Sequence, residues 1–305
     1  MPENKILVIR GGAIGDFILT LPVLAALRRQ FPQTRLEVLG YPHIARLALA
    51  GGLADDVRPI ESRALAGFFA RDGELEGVLQ EYFSSFAVIL SFLYDPDGVF
   101  QSNVARCSHA RFIAGPHRPD DIAGIHAVEV FLKPLEHLAI FDAEPVPRLS
   151  LSPQPSTPNR LALHPGSGSE RKNWPEPRWA ELLSRLAGET RHELLLVGGE
   201  AEGDRLDRLR TALPTANVDL AMGEPLDQLA ARLASSAAFV GHDSGITHLA
   251  AALGVPTLAL WGPTTAAVWA PRGAHVRLLR APGELAALPV EEVLDGLRAL
   301  IAAGG

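Results

Sequence analysis

Residues 241–264 read GHDSGITHLAAALGVPTLALWGPT, an Asp-Ser-Gly set between two apolar runs, with a histidine three residues further on. If a helix begins there, Asp243 or Ser244 caps it, the free N–H groups around Gly245 face any ligand, and His248 lies in the first turn or so. Helix N-termini attract phosphates through those donors and through the macrodipole. A capped helix with a structural histidine is the competing reading. Residues 164–175, HPGSGSERKNWP, make a second anion candidate. Small residues permit close backbone approach, Ser167 and Ser169 bring hydroxyls, and Arg171 and Lys172 follow at once. The P-loop spacing G-x-x-x-x-G-K-[ST] is missing. The chain holds 25 arginines but only three lysines, Lys5, Lys133 and Lys172, and a compact ammonium beside small residues suits a phosphate.

A third loop, RGGAIGD at 10–16, joins an apolar run to a helical pattern. Its spacing is G-G-x-x-G, not the dinucleotide G-x-G-x-x-G. The next apolar run, RLEVLGY, places Glu37 in its middle, with Gly40 and Tyr41 where a ribose-binding acid should stand. Asp16 therefore becomes the residue of interest. It is either an N-cap that accepts backbone N–H bonds or a carboxylate free to act as a general base. A fourth loop, YDPDG at 94–98, offers Asp95 and Asp97 in the D-x-D spacing that some metal-dependent transferases use. Pro96 and Gly98 favour an ordinary tight turn. With no His/Cys zinc spacing and no G-x-S-x-G elbow, no metal is expected.

The elements that must hold these loops are legible in the hydropathy. Short apolar runs (KILVIR, RLEVLGY, FAVILSFLY, NRLALH, ELLLVGG, AAFVG, PTLALWG) alternate with amphipathic helical patterns. That alternation implies parallel sheets covered on both faces. The Pro-rich SLSPQPSTPN at 150–159 reads as a linker between an N-terminal domain, 1–152, and a C-terminal domain, 159–305. The last stretch, VEEVLDGLRALIAA, reads as an amphipathic helix, free to pack back on the N-terminal half.

Composition sets bounds on function. Of 305 residues, 47% are hydrophobic and 21% charged, an ordinary globular balance. The net charge of −7 is spread evenly, with 14 basic against 18 acidic residues up to Pro158 and 14 against 17 beyond it. That excludes the basic footprint of a nucleic-acid binder. The single cysteine, Cys107, rules out an internal disulfide and a multi-cysteine metal site. The N-terminal stretch lacks a secretory pattern and no apolar run is long enough to span a bilayer, so a cytoplasmic protein is expected.

Taken together, KILVIRGGAIGDFILTLPVLAALRRQFP, LALHPGSGSERKNWPEPRWAELLSRL and FVGHDSGITHLAAALGVPTLALWGPT resemble the signature regions of glycosyltransferase family 9. This is the family of the lipopolysaccharide heptosyltransferases. The resemblance runs nearly end to end and is weakest between about 42 and 135. It implies an α/β GT-B fold, two Rossmann-like domains facing across a cleft, with the acceptor taken by the N-terminal domain and the nucleotide sugar by the C-terminal one. It implies an inverting, metal-independent transfer, typically from ADP-L-glycero-D-manno-heptose, to a lipopolysaccharide-core or other surface-glycan acceptor. By position Asp16 matches the catalytic base, flanked by Gly12 and Gly15 on the acceptor side. Lys172 matches the lysine on the diphosphate. Asp243, Ser244, Gly245 and His248 match the D-[ST]-G-x-x-H element that holds diphosphate and sugar. Gly262, Pro263 and Thr264 form the neighbouring loop, Ser167 and Ser169 can assist, and Glu200 or Glu202 in VGGEAEG can reach the ribose.

The sequence departs from the family after LYDPDGVFQSN, which has no basic residue until Arg106. Arg106, His109, Arg111, His117 and Arg118 then form either an anionic-acceptor surface or a solvated face. The alternatives kept open are a nucleotide-sugar-binding regulator without turnover, a GT-B enzyme using another nucleotide sugar, a metal-dependent transferase and a nucleotide-sugar epimerase. A glycolipid acceptor would allow peripheral contact with the inner membrane, although the acidic balance gives that no support.

Overall fold

A computed structural model of the chain describes residues 5–151, 157–189, 192–199, 202–213, 218–281 and 283–304. The chain divides into two compact units, Met1–Pro145 and Val146–Gly305. The division falls a few residues ahead of the Pro-rich stretch, and Thr157 already opens a strand.

The first unit alternates strands β1 (Lys5–Arg10), β2 (Arg35–Gly40), β3 (Asp56–Pro59), β4 (Val88–Ser91) and β5 (Arg111–Ala114) with helices α1 (Ile14–Gln30), α2 (Pro42–Ala50), α3 (Gly77–Ser84), α4 (Val99–Ala105) and α5 (Ala127–Leu132). Its sheet is parallel throughout, in the order β3-β2-β1-β4-β5. The central strand KILVIR is buried at every residue but its first, because helices cover both faces of a parallel sheet. Leu7, Ile9, Leu39 and Ile89 from the strands pack there against Phe68, Phe83 and Phe100.

The second unit contains β6 (Thr157–His164), α6 (Glu176–Glu189), β7 (Glu193–Gly198), α7 (Gly203–Thr211), β8 (Val218–Met222), α8 (Leu226–Ala234), β9 (Ser236–His242), α9 (Gly245–Ala252), β10 (Thr257–Leu260), α10 (Ala266–Trp269), β11 (Val276–Leu279) and α11 (Val290–Gly304). Its six strands are parallel, in the order β11-β10-β9-β6-β7-β8. The last helix packs within its own unit, where Val293, Leu294 and Leu297 join Leu161, Leu163, Val240 and Leu258 in one core.

Both sheets reverse their winding beside their first strand, between β1 and β4 in one and between β6 and β9 in the other. In open α/β sheets ligands bind beyond the carboxyl ends of the strands at such a switch point. Topology alone therefore selects the loops that follow Arg10 and Ser91 in the first unit, and those that follow His164 and His242 in the second.

Candidate functional site

The second unit's site is built on the start of α9. Ser244 takes the N-cap position, its hydroxyl accepting the Thr247 N–H at 3.3 Å. The Thr247 hydroxyl in turn donates to the His242 carbonyl, so the end of β9 and the first turn of α9 form one hydrogen-bonded unit. With Ser244 as cap, Asp243 is released for another task. Its carboxylate, on a residue only 6% exposed, lies 2.7 Å from the Lys172 ammonium. An acid at an anion site would repel a phosphate; here it holds the cation that would attract one. The other two lysines are tied elsewhere, Lys5 to Glu37 at 3.6 Å and Lys133 to Glu136 at 2.8 Å. Gly245 stands partly exposed at the first helical position, whereas His248 is buried.

Of the other residues expected at this site, Gly262 comes close to Lys172, Ser167 and Ser169 lie in its own loop, and Glu202 reaches the Gly166 end of that loop. Gly262 leads from β10 and comes so near that a methyl group there would lie 3.9 Å from the Lys172 Cα. Thr264 closes that loop by accepting the Trp261 indole N–H at 2.7 Å, and Pro263 between them is exposed. The Ser167 hydroxyl lies within reach of Asn173 Oδ1 at 2.6 Å and the Ser169 carbonyl at 2.8 Å, and it shapes the loop; Ser169 itself stays exposed. Glu202 follows β7, accepts the Gly199 N–H at 2.9 Å, and lies where a Cβ on Gly166 would fall 2.4 Å from its Cγ. Glu200 lies outside the described residues.

Two residues that sequence reasoning missed hold this loop in place. His242, the last residue of β9, is fully buried. Its Nε2 accepts the Trp174 backbone N–H at 2.8 Å and the Trp179 indole N–H at 3.2 Å, which leaves Nδ1–H to donate to the Gly166 carbonyl at 3.2 Å. Arg205, on α7, donates to the Pro165 carbonyl at 3.1 Å and pairs with Glu170 at 2.8 Å. The backbone leading to Lys172 is thus fixed before any ligand arrives, which reduces the ordering cost of binding.

Burial holds the His242 and His164 imidazoles neutral. His242 is pulled down to about 3, by burial first and then by His164 and Arg205 against the Gly166 carbonyl. His164, whose Nδ1 lies 3.2 Å from the Ser244 hydroxyl, is pulled down to about 4 by burial. Unfolded histidines titrate near 6.5, so on acidification the unfolded chain takes up protons that the folded chain refuses. Stability therefore falls as pH drops from about 6.5 towards 4, by about 1.4 kcal/mol per unit for each group once below 6.5. Urea denaturation should show a loss of roughly 2 kcal/mol between pH 6 and pH 5. A flat stability over that interval would contradict the neutral, buried assignment.

In the first unit, Asp16 does not occupy the cap position. Ala13 is the N-cap of α1 and Asp16 stands three residues later, where its Oδ2 reaches back to accept the Ala13 N–H at 3.0 Å. This is the acidic half of a capping box, which alanine cannot reciprocate. Gly12, at φ +97°, is required twice over, since a Cβ would also fall 2.8 Å from Asp16 Oδ2. Gly15 is the second residue of α1 and leaves the space beside Asp16 without a side chain.

The other Asp16 oxygen, Oδ1, lies 3.6 Å from Nη2 of Arg10, a residue 3% exposed whose part the sequence did not reveal. Arg10 donates to the His117 carbonyl at 2.9 Å and the Asp16 carbonyl at 3.3 Å, and its guanidinium stacks on Phe131 at 4.5 Å. Burial pulls it down to about 10, with Asp16 opposing that shift.

The expected acceptor arginines are not brought together. Arg111 opens β5 and pairs in register with Val88, at the amino edge of the sheet and away from the loops of Asp16. Arg106 closes α4 at the same edge, donating to the Gly73 carbonyl at 2.8 Å and Asn103 Oδ1 at 2.9 Å. A run of cations in sequence is here split by the strand that runs through it. Only Arg118 follows the carboxyl end of β5, and it pairs with Asp121 at 2.9 Å. Asp95 accepts the Phe100 and Gln101 N–H groups at 3.2 and 3.0 Å, and Asp97 pairs with Arg71 at 3.1 Å. Among the described residues no three His, Cys, Asp or Glu side chains converge as metal ligands. Among them, too, no helix is long and apolar enough to cross a membrane.

Two Rossmann-like units, the second with a lysine at the mouth of a capped helix start, define a protein of the GT-B class. The sequence model of glycosyltransferase family 9 (heptosyltransferase) matches residues 140–292, half of the chain, and the chain belongs to that family. It is 41% identical over 110 residues to lipopolysaccharide heptosyltransferase 1 of Pseudomonas aeruginosa, a match covering 36% of this chain and 30% of that protein. The aligned stretch thus spans under a third of that relative's length. Among solved structures, Escherichia coli ADP-heptose lipopolysaccharide heptosyltransferase II superposes with a TM-score of 0.79 at 22% identity, covering 98% of this chain and 99% of that one. An E. coli heptosyltransferase solved with ADP gives 0.77 at 20% identity, over 97% and 99% of the two chains.

Proposed function

We propose that this chain is a cytoplasmic glycosyltransferase that moves a heptose from ADP-heptose to a hydroxyl of a lipopolysaccharide-core or other surface-glycan acceptor. The observation that carries the reading is the Lys172–Asp243 pair, 2.7 Å apart at the start of α9 and at the switch point of the second sheet. A fixed ammonium beside free helix N–H groups is what a nucleoside diphosphate requires. The choice of ADP-heptose is supported by relatives whose structures hold ADP and ADP-2-deoxy-2-fluoro heptose.

In this reaction the acceptor oxygen attacks the anomeric carbon from the face opposite the leaving group, and the configuration inverts. Asp16 takes the acceptor's proton as the new C–O bond forms. The bond from the anomeric carbon to the diphosphate breaks with its electron pair remaining on the phosphate oxygen. Lys172, the Gly245 N–H and the α9 dipole stabilise that charge, and the Ser169 and Thr264 hydroxyls assist. Glu200 or Glu202 receives the ribose hydroxyls. With the leaving group's charge met by Lys172 and α9, no divalent ion is called for.

The test is acceptor-dependent ADP release from ADP-heptose by the full chain in excess EDTA, with the product's anomeric configuration read by NMR. Inverted product in EDTA supports the reading. Binding of ADP-heptose without release under any acceptor would leave a nucleotide-sugar binder in place of an enzyme. Activity abolished by EDTA and restored by a divalent ion would defeat the metal-free route.

A further inference from the structure

Beyond Asp16, the carboxyl ends of β4 and β5 line a half-open cavity of about 220 Å³ that the reaction as described leaves unused. It lies beside the switch point of the first sheet, and one of its walls is tied to the base. The Arg10 guanidinium that faces Asp16 at 3.6 Å also grips the carbonyl of His117, a lining residue, at 2.9 Å. Tyr94, 71% exposed, meets the exposed His117 ring edge-on at a centroid distance of 4.6 Å. Ser91 and Gln101 add a hydroxyl and an amide to the lining, which contains no lysine or arginine. Its one carboxylate, Asp95, has both oxygens occupied by backbone N–H groups of α4. The nearest arginine in sequence, Arg118, is paired with Asp121.

We propose that this cavity is the subsite for an uncharged pyranose ring of the acceptor, stacked on Tyr94 and His117, and not for an acidic sugar. An anionic ring would meet no lysine or arginine in the lining. A neutral ring presents C–H groups that pack on aromatic faces and hydroxyls that a serine and an amide can satisfy. The proposal rests on the reading of the first unit as the acceptor side.

Saturation-transfer NMR on the full chain, with methyl α-D-mannopyranoside as the neutral probe and N-acetylneuraminic acid as the acidic one, tests it. The neutral glycoside should receive saturation through its ring C–H protons. Tyr94→Ala should weaken its affinity about two- to tenfold, whereas Tyr94→Phe, which keeps the ring, should not. Tyr94 is exposed enough for the alanine variant to fold, and His117→Ala, expected to act in the same direction, supplies an independent check. Tighter binding of the acidic sugar, or glycoside binding indifferent to both alanine variants, would overturn the assignment. ADP binding is measured in the same samples. Its loss with glycoside binding intact would sink the donor reading alone, and the converse would sink this subsite alone.

Discussion

Asp16→Asn is expected to lower the turnover of sugar transfer by about 10²- to 10⁴-fold, the span that a positioned general base contributes. The substitution is nearly isosteric. The asparagine carbonyl can still accept the Ala13 N–H that Asp16 Oδ2 accepts at 3.0 Å, so the start of α1 should survive with little loss of stability. What disappears is the negative charge and the capacity to take a proton. The Arg10 guanidinium, 3.6 Å from Oδ1, would then face a neutral amide, a second reason for turnover to fall. ADP affinity should not change, because every donor assigned to the diphosphate belongs to the second unit. Steady-state kinetics at saturating donor, with calorimetric ADP binding on the same variant, separates the two effects. A loss of less than tenfold would place the base elsewhere.

His242→Ala is expected to destabilise the protein by about 3–5 kcal/mol. The imidazole accepts two N–H groups, from the Trp174 backbone and the Trp179 indole, and donates to the Gly166 carbonyl, all in the interior. Alanine leaves three buried polar groups without partners, each worth about 1–3 kcal/mol, with entering water offsetting part of the sum. The variant should also lose about half of the stability change between pH 6 and pH 5, since one of the two suppressed imidazoles is gone. Because Gly166 and Trp174 bracket Lys172 in sequence, ADP should bind more weakly even where the variant is fully folded. Urea denaturation at pH 7 and at pH 5 checks both expectations. A cost below 1 kcal/mol would mean that His242 merely fills space.

How much of this was legible follows from sequence separation. The alternation of short apolar runs with helical patterns gave the two parallel sheets, because strands covered on both faces must be apolar without interruption. The helix start at Ser244 was legible because its cap, its glycine and the strand before it are contiguous. At Asp16 the sequence leaves a cap and a general base both open, since an acid at the cap and an acid that reaches back to it share one signature. Arg10 and His242 went unseen for a different reason. Their partners lie 107 residues away at His117 and 68 residues away at Trp174, distances that no local pattern encodes. The arginines of 106–118 misled because a cation-rich stretch does not reveal which edge of the sheet each residue will occupy.

Lys172, held by Asp243, is proposed to seat the diphosphate of an adenine nucleotide sugar. Titration calorimetry of ADP, UDP and GDP against the full chain without divalent metal, repeated with Lys172→Ala, addresses it most directly. Because that change strands the buried Asp243 carboxylate, Lys172→Ala combined with Asp243→Asn is titrated alongside. ADP should bind in preference to the other two, and both variants should lose about 1–3 kcal/mol of affinity, as for a removed charge-assisted hydrogen bond. ADP binding unchanged in both variants, or UDP or GDP bound more tightly than ADP, would contradict it.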